Sequence, residues 1–348
     1  MSKFLKYIDL LKSILRNLSL KRKKLILFQL FILSISAILE MGLVAATPFF
    51  LKKLPNLNNN NDFIFISICY SILILVSCFA RVYNLWKLNS TSAILGTDLS
   101  LKAYETMLYQ SYEQHKQDES NIVINNLVNN TAVTVRVINS YLNFISASLT
   151  LILIAALLLL KYPIITVVLL IILSTSYSLI SIISKNSIKN NSKIIAHDNI
   201  SLLKTIQEGV GSYRDTLINR SQNNFIKDLY LIDSRLRKSI STNLFLTAYP
   251  RFINESLIIL LMVALSINLF IKANGASELV FSELSIFAVA GLKLLPGIQM
   301  IYSSWALINT YFDSTTFLIK GIERERPEET YLNIRNNSFS QKNTFEIK

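Results

Sequence analysis

Glycine is scarce in this chain: there are eight among 348 residues, and no two are adjacent. A phosphate-binding loop needs glycines around a Gly-Lys-Ser/Thr tripeptide, so that backbone N–H groups can wrap the phosphates. None of the eight is followed by lysine and a hydroxyl residue, which excludes nucleotide hydrolysis through such a loop in this chain. Cysteine is scarcer still. Cys69 and Cys78 share one apolar segment, which excludes a disulfide framework or a thiolate metal site and leaves them as small apolar fillers. His115 and His197 lie in different polar stretches with no cysteine nearby, so neither has metal-ligand company and both read as solvated surface residues. No nucleophile triad, paired carboxylates or metal cluster stands out, so no catalytic residue is expected. Acidic residues are also few, 22 against 35 Lys and Arg, for a formal charge of +13.

What the chain does have is long hydrophobic runs. Six apolar segments run roughly Leu25 to Phe50, Phe63 to Trp86, Leu142 to Leu160, Ile164 to Ile183, Leu244 to Ile271 and Leu279 to Ile301. A hydrocarbon core of about 30 Å needs about 20 helical residues to cross it, and each segment supplies them. The expected fold is an all-α, polytopic membrane protein with six transmembrane helices. The first segment follows a charged region and ends near Val44-Ala45-Ala46, but its apolar run is too long for a signal peptide, so it reads as a retained anchor.

The polar stretches between segments alternate strictly between short and long. One side of the membrane therefore receives only turns, and the other receives two large helical projections. Basic residues indicate which side is which. Eight crowd the N-terminal flank (Lys3, Lys6, Lys12, Arg16, Lys21, Arg22, Lys23, Lys24), and ten lie between Lys185 and Lys238. The three short loops share four: Lys52, Lys53, Lys161 and Lys272. The N-terminus, both long loops and the C-terminus are thus expected to be cytoplasmic. Basic residues beside membrane segments face anionic headgroups, and no nucleic-acid partner is expected.

Periodicity describes the projections. Residues 1–24 read as an amphipathic interfacial helix with the stripe Phe4, Ile8, Leu11, Leu15 and Leu18. In the first long loop, Ile124, Val128, Thr131, Val135, Ile138, Leu142 and Ile145 continue a four-three stripe into the third segment. In the second, Phe225, Leu229, Ile232, Leu236 and Ile240 lead into the fifth, and Gly209 and Gly211 mark the hairpin tip. Arms of about 25 residues carry that tip about 35 Å or more from the bilayer, a reach costly to order unless something docks on it.

Charges within the spans are Glu40, Arg81, Glu255 and Lys293, with Glu40 and Lys293 the deeper ones. An ionised side chain near the bilayer centre costs on the order of 3 kcal/mol, so such residues face a partner or an aqueous cavity. Arg81 and Glu255 stand nearer span ends, where snorkelling or a helix-to-helix ion pair is expected. Pro48, Pro250 and Pro296 are candidate kinks.

The motifs now fall into a known order. EGVGSYRDTLINRSQNNF (Glu208 to Phe225) resembles the second intracellular loop of ABC exporters of the kind that flips lipid-linked saccharides, lipids or peptides. YPRFINES (Tyr249 to Ser256) is similar to the opening of that family's fifth span, and LYQSYEQHKQDESNIVINNLVNN to its first coupling helix and the Asn-rich run after it. EMGLVAATPF from Glu40 and GLKLLPGIQMIYSSW from Gly291 also resemble it, so that residues 25–325 are expected to form an ABC exporter transmembrane domain.

The resemblance implies coupling to an ATP-binding domain or subunit through Tyr112, Glu113, His115, Asp118, Ser212, Tyr213, Arg214, Asp215 and Leu217. It implies a second transmembrane half, identical or not. ATP and Mg would be bound by the partner, with no cofactor in this chain. The residues 326–348 look like the opening of the ATPase domain, with Gln341 where an adenine-stacking aromatic would be expected and no phosphate-binding loop following. Expected, then, is the transmembrane subunit of an ATP-driven exporter or flippase in a bacterial inner membrane. A non-transporting scaffold or truncated remnant of one is the alternative.

Overall fold

Long apolar runs free of helix breakers fold as long helices, because every backbone N–H and C=O is satisfied within the segment. In the computed structural model, residues 2–53, 60–110, 112–113, 120–161, 163–272 and 277–323 are described, and among them there are helices and no strand. In chain order they are α1 (Ser2–Arg16), α2 (Leu20–Lys53), α3 (Asn60–Leu108), α4 (Ser120–Asn125), a π-helical turn (Asn126–Asn130) and α5 (Thr131–Lys161). There follow α6 (Pro163–Gly211), α7 (Tyr213–Ile218), α8 (Gln222–Lys272), α9 (Ser277–Thr310) and α10 (Phe312–Ile322).

Five of these, α2, α3, α5 with its preceding turn, α6 and α8, are long and apolar enough to cross a membrane. The chain is therefore all-α and built to be embedded in a membrane. The sixth expected segment falls on α9, where the side chains of residues 277–290 lie outside the described residues. The 49-residue α6 and 51-residue α8 run without interruption through span and arm. At 1.5 Å per residue each is about 75 Å long, more than twice a hydrocarbon core.

Helix α5 occupies the centre, packed by α2, α3, α9 and α10, while α6 and α8 lie along each other and α8 along α9. Val44, Ile154, Leu158, Leu169, Leu173, Ile258 and Leu294 form the core among the spans. A second core at the arm side joins Leu10, Ile14 and Leu18 to Leu95, Leu99, Ile138, Leu318 and Ile322. The apolar face of α1 is thus covered by protein, centred on Leu10 and Ile14 rather than on Leu11 and Leu15, which are only partly buried. Tyr7 on the same face donates its hydroxyl to Asn309. Burial, and then the Asp313 carboxylate, push its phenol above the ordinary tyrosine value.

Two expectations need correction. The stripe into α5 does not run straight: Ile124 and Val128 are exposed, and Asn125 and Asn130 are buried in their place. The π turn accommodates one extra residue per turn and rotates everything upstream. Asn129 donates to Asn125 at 2.9 Å and Asn130 to Asn126 at 2.6 Å, which makes the asparagine ladder part of the turn. Cys69 and Cys78, expected as fillers, are exposed on α3. On α8, in contrast, Phe225, Leu229, Ile232, Leu236 and Ile240 are all partly or fully buried, as the stripe predicts.

Candidate functional site

Helix α6 ends at Gly211, and Ser212 turns the chain, accepting the Thr216 N–H at 2.9 Å while its hydroxyl donates to the Glu208 carbonyl. The short α7 follows. Arg220 then takes a left-handed φ of 53° to reverse the chain into α8. Thr216 is buried, whereas Tyr213, Leu217 and Ile218 are 64%, 47% and 67% exposed, and Val210 beside them is 73% exposed. The end of this arm therefore offers a small apolar face, flanked by the exposed Arg214 and Asp215. Tyr112 and Glu113 are likewise exposed at the end of the first arm, and His115 and Asp118 lie outside the described residues.

The second arm is braced behind its tip. Asp198 on α6 has a side chain only 2% exposed, and Arg235 on α8 grips it with two hydrogen bonds of 2.6 and 2.8 Å. His197, an exposed surface residue as expected, adds an Nδ1 contact of 3.0 Å to the same carboxylate. Asn191 donates to Asn243 at 2.8 Å one further step toward the membrane.

Of the charges inside the spans, Glu40 and Arg81 meet in an ion pair of 2.6 Å between α2 and α3. Glu40 is nearly covered, and Arg81 reaches it from its more exposed position. Three more polar contacts join the same helices: Thr47 with Tyr70 at 2.9 Å, Gln29 to Asn84 at 3.0 Å, and Arg22 to Asp98 at 2.6 and 3.0 Å. Glu255 is exposed on α8, and the side chain of Lys293 lies outside the described residues.

A further constellation escaped sequence reasoning. Pro250 sits inside α8 and has no N–H to give to the turn before it, which leaves the Leu246 carbonyl without its helical donor. Tyr302 on α9 donates its hydroxyl to the Leu246 carbonyl at 2.9 Å, and Gln299 donates to the Thr247 carbonyl at 3.1 Å. Gln299 in turn accepts the Tyr177 hydroxyl of α6 at 2.9 Å. The proline break is thereby tied to two neighbouring helices. Its signal in the sequence is a proline within a span, but nothing in the sequence says which residue meets the freed oxygen.

Beside this tie, α5, α6 and α9 enclose an open recess of about 460 Å³ lined by Phe144, Tyr177, Ser178, Ser181, Tyr302 and Trp305 together with isoleucines. Phe144, Ser181 and Ile301 stand at the arm-side ends of their apolar segments, which places the recess at the depth of the lipid headgroups there. Among the described residues, no three His, Cys, Asp or Glu side chains gather where a metal ion could be held. No protein-family model matches the chain, and no curated protein matches its sequence.

Proposed function

We propose that this chain is the transmembrane subunit of an ATP-driven exporter or flippase that moves an amphipathic cargo, a lipid-linked saccharide, lipid or peptide, by alternating access. The observation that carries this reading is the second arm. Two long helices leave the membrane, are locked together by Asp198 and Arg235, and end in an exposed apolar face of Tyr213, Leu217 and Ile218. A rigid projection with an uncovered apolar end transmits force only if a partner covers that end. The motif order from Glu40 to Trp305 supports an ABC exporter fold with six spans and an ATP-binding domain or subunit as the partner.

In this reading the arms are cytoplasmic, two such chains line the pathway, and ATP with Mg sits on the partner. Closing the partner domains pushes the arm tips together, and the rigid helices carry that motion to the spans. The test is capture of an ATP-binding subunit by the detergent-solubilised chain. Tyr213→Asp with Leu217→Asp should lower capture at least tenfold without changing membrane insertion. Replacing Arg214 and Asp215 should uncouple ATP hydrolysis from transport. Unchanged capture, or labelling of Ser212 from the outside of intact cells, would overturn the assignment.

A further inference from the structure

The asparagine-rich stretch ahead of α5 is written in doublets: Val123 with Ile124, Asn125 with Asn126, Leu127 with Val128 and Asn129 with Asn130. A step of one residue along the chain puts the second member of each doublet in the place of the first. Apolar then replaces apolar, and asparagine replaces asparagine.

A π turn is the element that can take such a step. The Thr131 N–H reaches back five residues to the Asn126 carbonyl, one more than an α-helix spans, so one extra residue is stored in the turn. While it is stored there, Ile122 and Val123 of α4 are partly buried, Asn125 is 1% exposed, and Ile124 stands outward at 39%. Feeding the stored residue into α4 would rotate that helix by about 100° and move it by about 1.5 Å. Val123 then takes the place of Ile122, Ile124 that of Val123, and Asn126 that of Asn125. Each of these covered places keeps its polarity, and Asn125 takes the outward place of Ile124.

There is room for the exchange. A cavity of about 50 Å³ lies beside the turn, lined by Val123, Asn126 and Leu127 and faced by Met107 and Leu318. It admits the one methylene by which Ile124 exceeds Val123. Opposing forces are also visible. The π register is held by Asn129 to Asn125 at 2.9 Å, by Asn130 to Asn126 at 2.6 Å and by the Thr131 hydroxyl on the Asn126 carbonyl at 3.1 Å. The straight register regains the ordinary helical ladder and covers Ile124.

We propose that α4 and the π turn form a two-register switch, with Asn125 inward in one register and Asn126 inward, with Ile124 against the cavity, in the other. Helix α4 packs on α6, the outgoing helix of the second arm, so each step reseats the first arm on the second. The switch is built from this chain alone and is independent of the exporter reading.

Two lysines bias the registers in opposite directions. Ile124→Lys is outward in the π register and covered in the straight one, and Asn125→Lys is the reverse. Both are made in the full, detergent-solubilised chain carrying Cys69→Ala and Cys78→Ala. With two registers available, each lysine alone should lower the melting temperature by about 2 °C or less, and the two together by about 10 °C. Labelling with a water-soluble maleimide reads the registers directly. Asn125→Cys should react slowly, and adding Ile124→Lys should slow it about tenfold further. Ile124→Cys should react fast, and adding Asn125→Lys should slow it about tenfold. A neighbouring ammonium by itself promotes the thiolate and speeds the reaction, so slowing reports burial. A single register predicts the opposite: Asn125→Lys alone melts about 10 °C low or does not fold, the two lysine costs add, and neither labelling rate falls. Any one of these results would overturn the switch.

Discussion

Helices α3 and α8 are nearly the same length, 49 and 51 residues, and each joins a span to an arm, yet they are held in opposite ways. Helix α3 keeps its backbone ladder whole, turns Ile64, Phe65, Ile68, Ile72, Leu75 and Phe79 outward, and is fastened to α2 through side chains, by polar pairs and by a shared apolar core that includes Leu33, Leu88 and Leu95. Between helices in lipid there is no hydrophobic gain from contact, so such pairs and close packing supply the adhesion. Helix α8 loses one rung of its ladder at Pro250 and lends the released Leu246 carbonyl to Tyr302 of α9, with Gln299 bonding the Thr247 carbonyl beside it. One helix is therefore a wall fixed to its neighbour by side chains. The other is a lever whose own backbone is part of the joint.

The contrast breaks most sharply at Arg81. Arg81→Leu leaves Glu40 nearly covered and unpaired inside the span, and should cost on the order of 3 kcal/mol, read as a large drop in the melting temperature of the detergent-solubilised protein. Exchanging the partners, Glu40→Arg with Arg81→Glu, should restore part of the loss. Next comes Gly96, where a Cβ would stand 2.1 Å from Cγ2 of Val135. Gly96→Ala should cost about 2 kcal/mol by pushing α3 off α5, and Val135→Ala should rescue most of it in the same melting assay.

On the lever side, Tyr302→Phe leaves the Leu246 carbonyl without its donor and should cost about 1 kcal/mol. In a Pro250→Ala background the helix bonds that carbonyl itself, so the same change should cost close to nothing. Equal costs in the two backgrounds would show that the hydroxyl does not serve the break. The smallest effect is expected at Arg237, whose pair with Asp233 lies on the exposed face of the α8 arm. Arg237→Ala should leave melting unchanged within error.

Much of the wall and of the arms was legible from sequence, because length, apolarity and period are properties of a single helix. The Phe225 to Ile240 stripe and the tip after Gly211 were read from spacing, and the structure places both there. Two kinds of feature were not legible. The π turn shifts register through hydrogen bonds that no hydrophobic period records, which is why Val128 is exposed and Asn130 buried. Partner identity was the other. Glu40 was expected to face a partner or a cavity, but that Arg81 meets it depends on how far α2 slides along α3. Gly96 gave no signal because its requirement comes from Val135, 39 positions away.

The Pro250 joint also limits how α8 and α9 can travel. Both acceptors sit at fixed heights on α8, and Gln299 and Tyr302, three positions apart on α9, reach them together. A slide of a fraction of a turn draws both donors away from their acceptors and leaves the Leu246 oxygen, which has no helical N–H, unbonded, so it is opposed from the first ångström. The pair consequently works as a detent. It rests in one notch, and any slide of α8 along α9 has to release both bonds together.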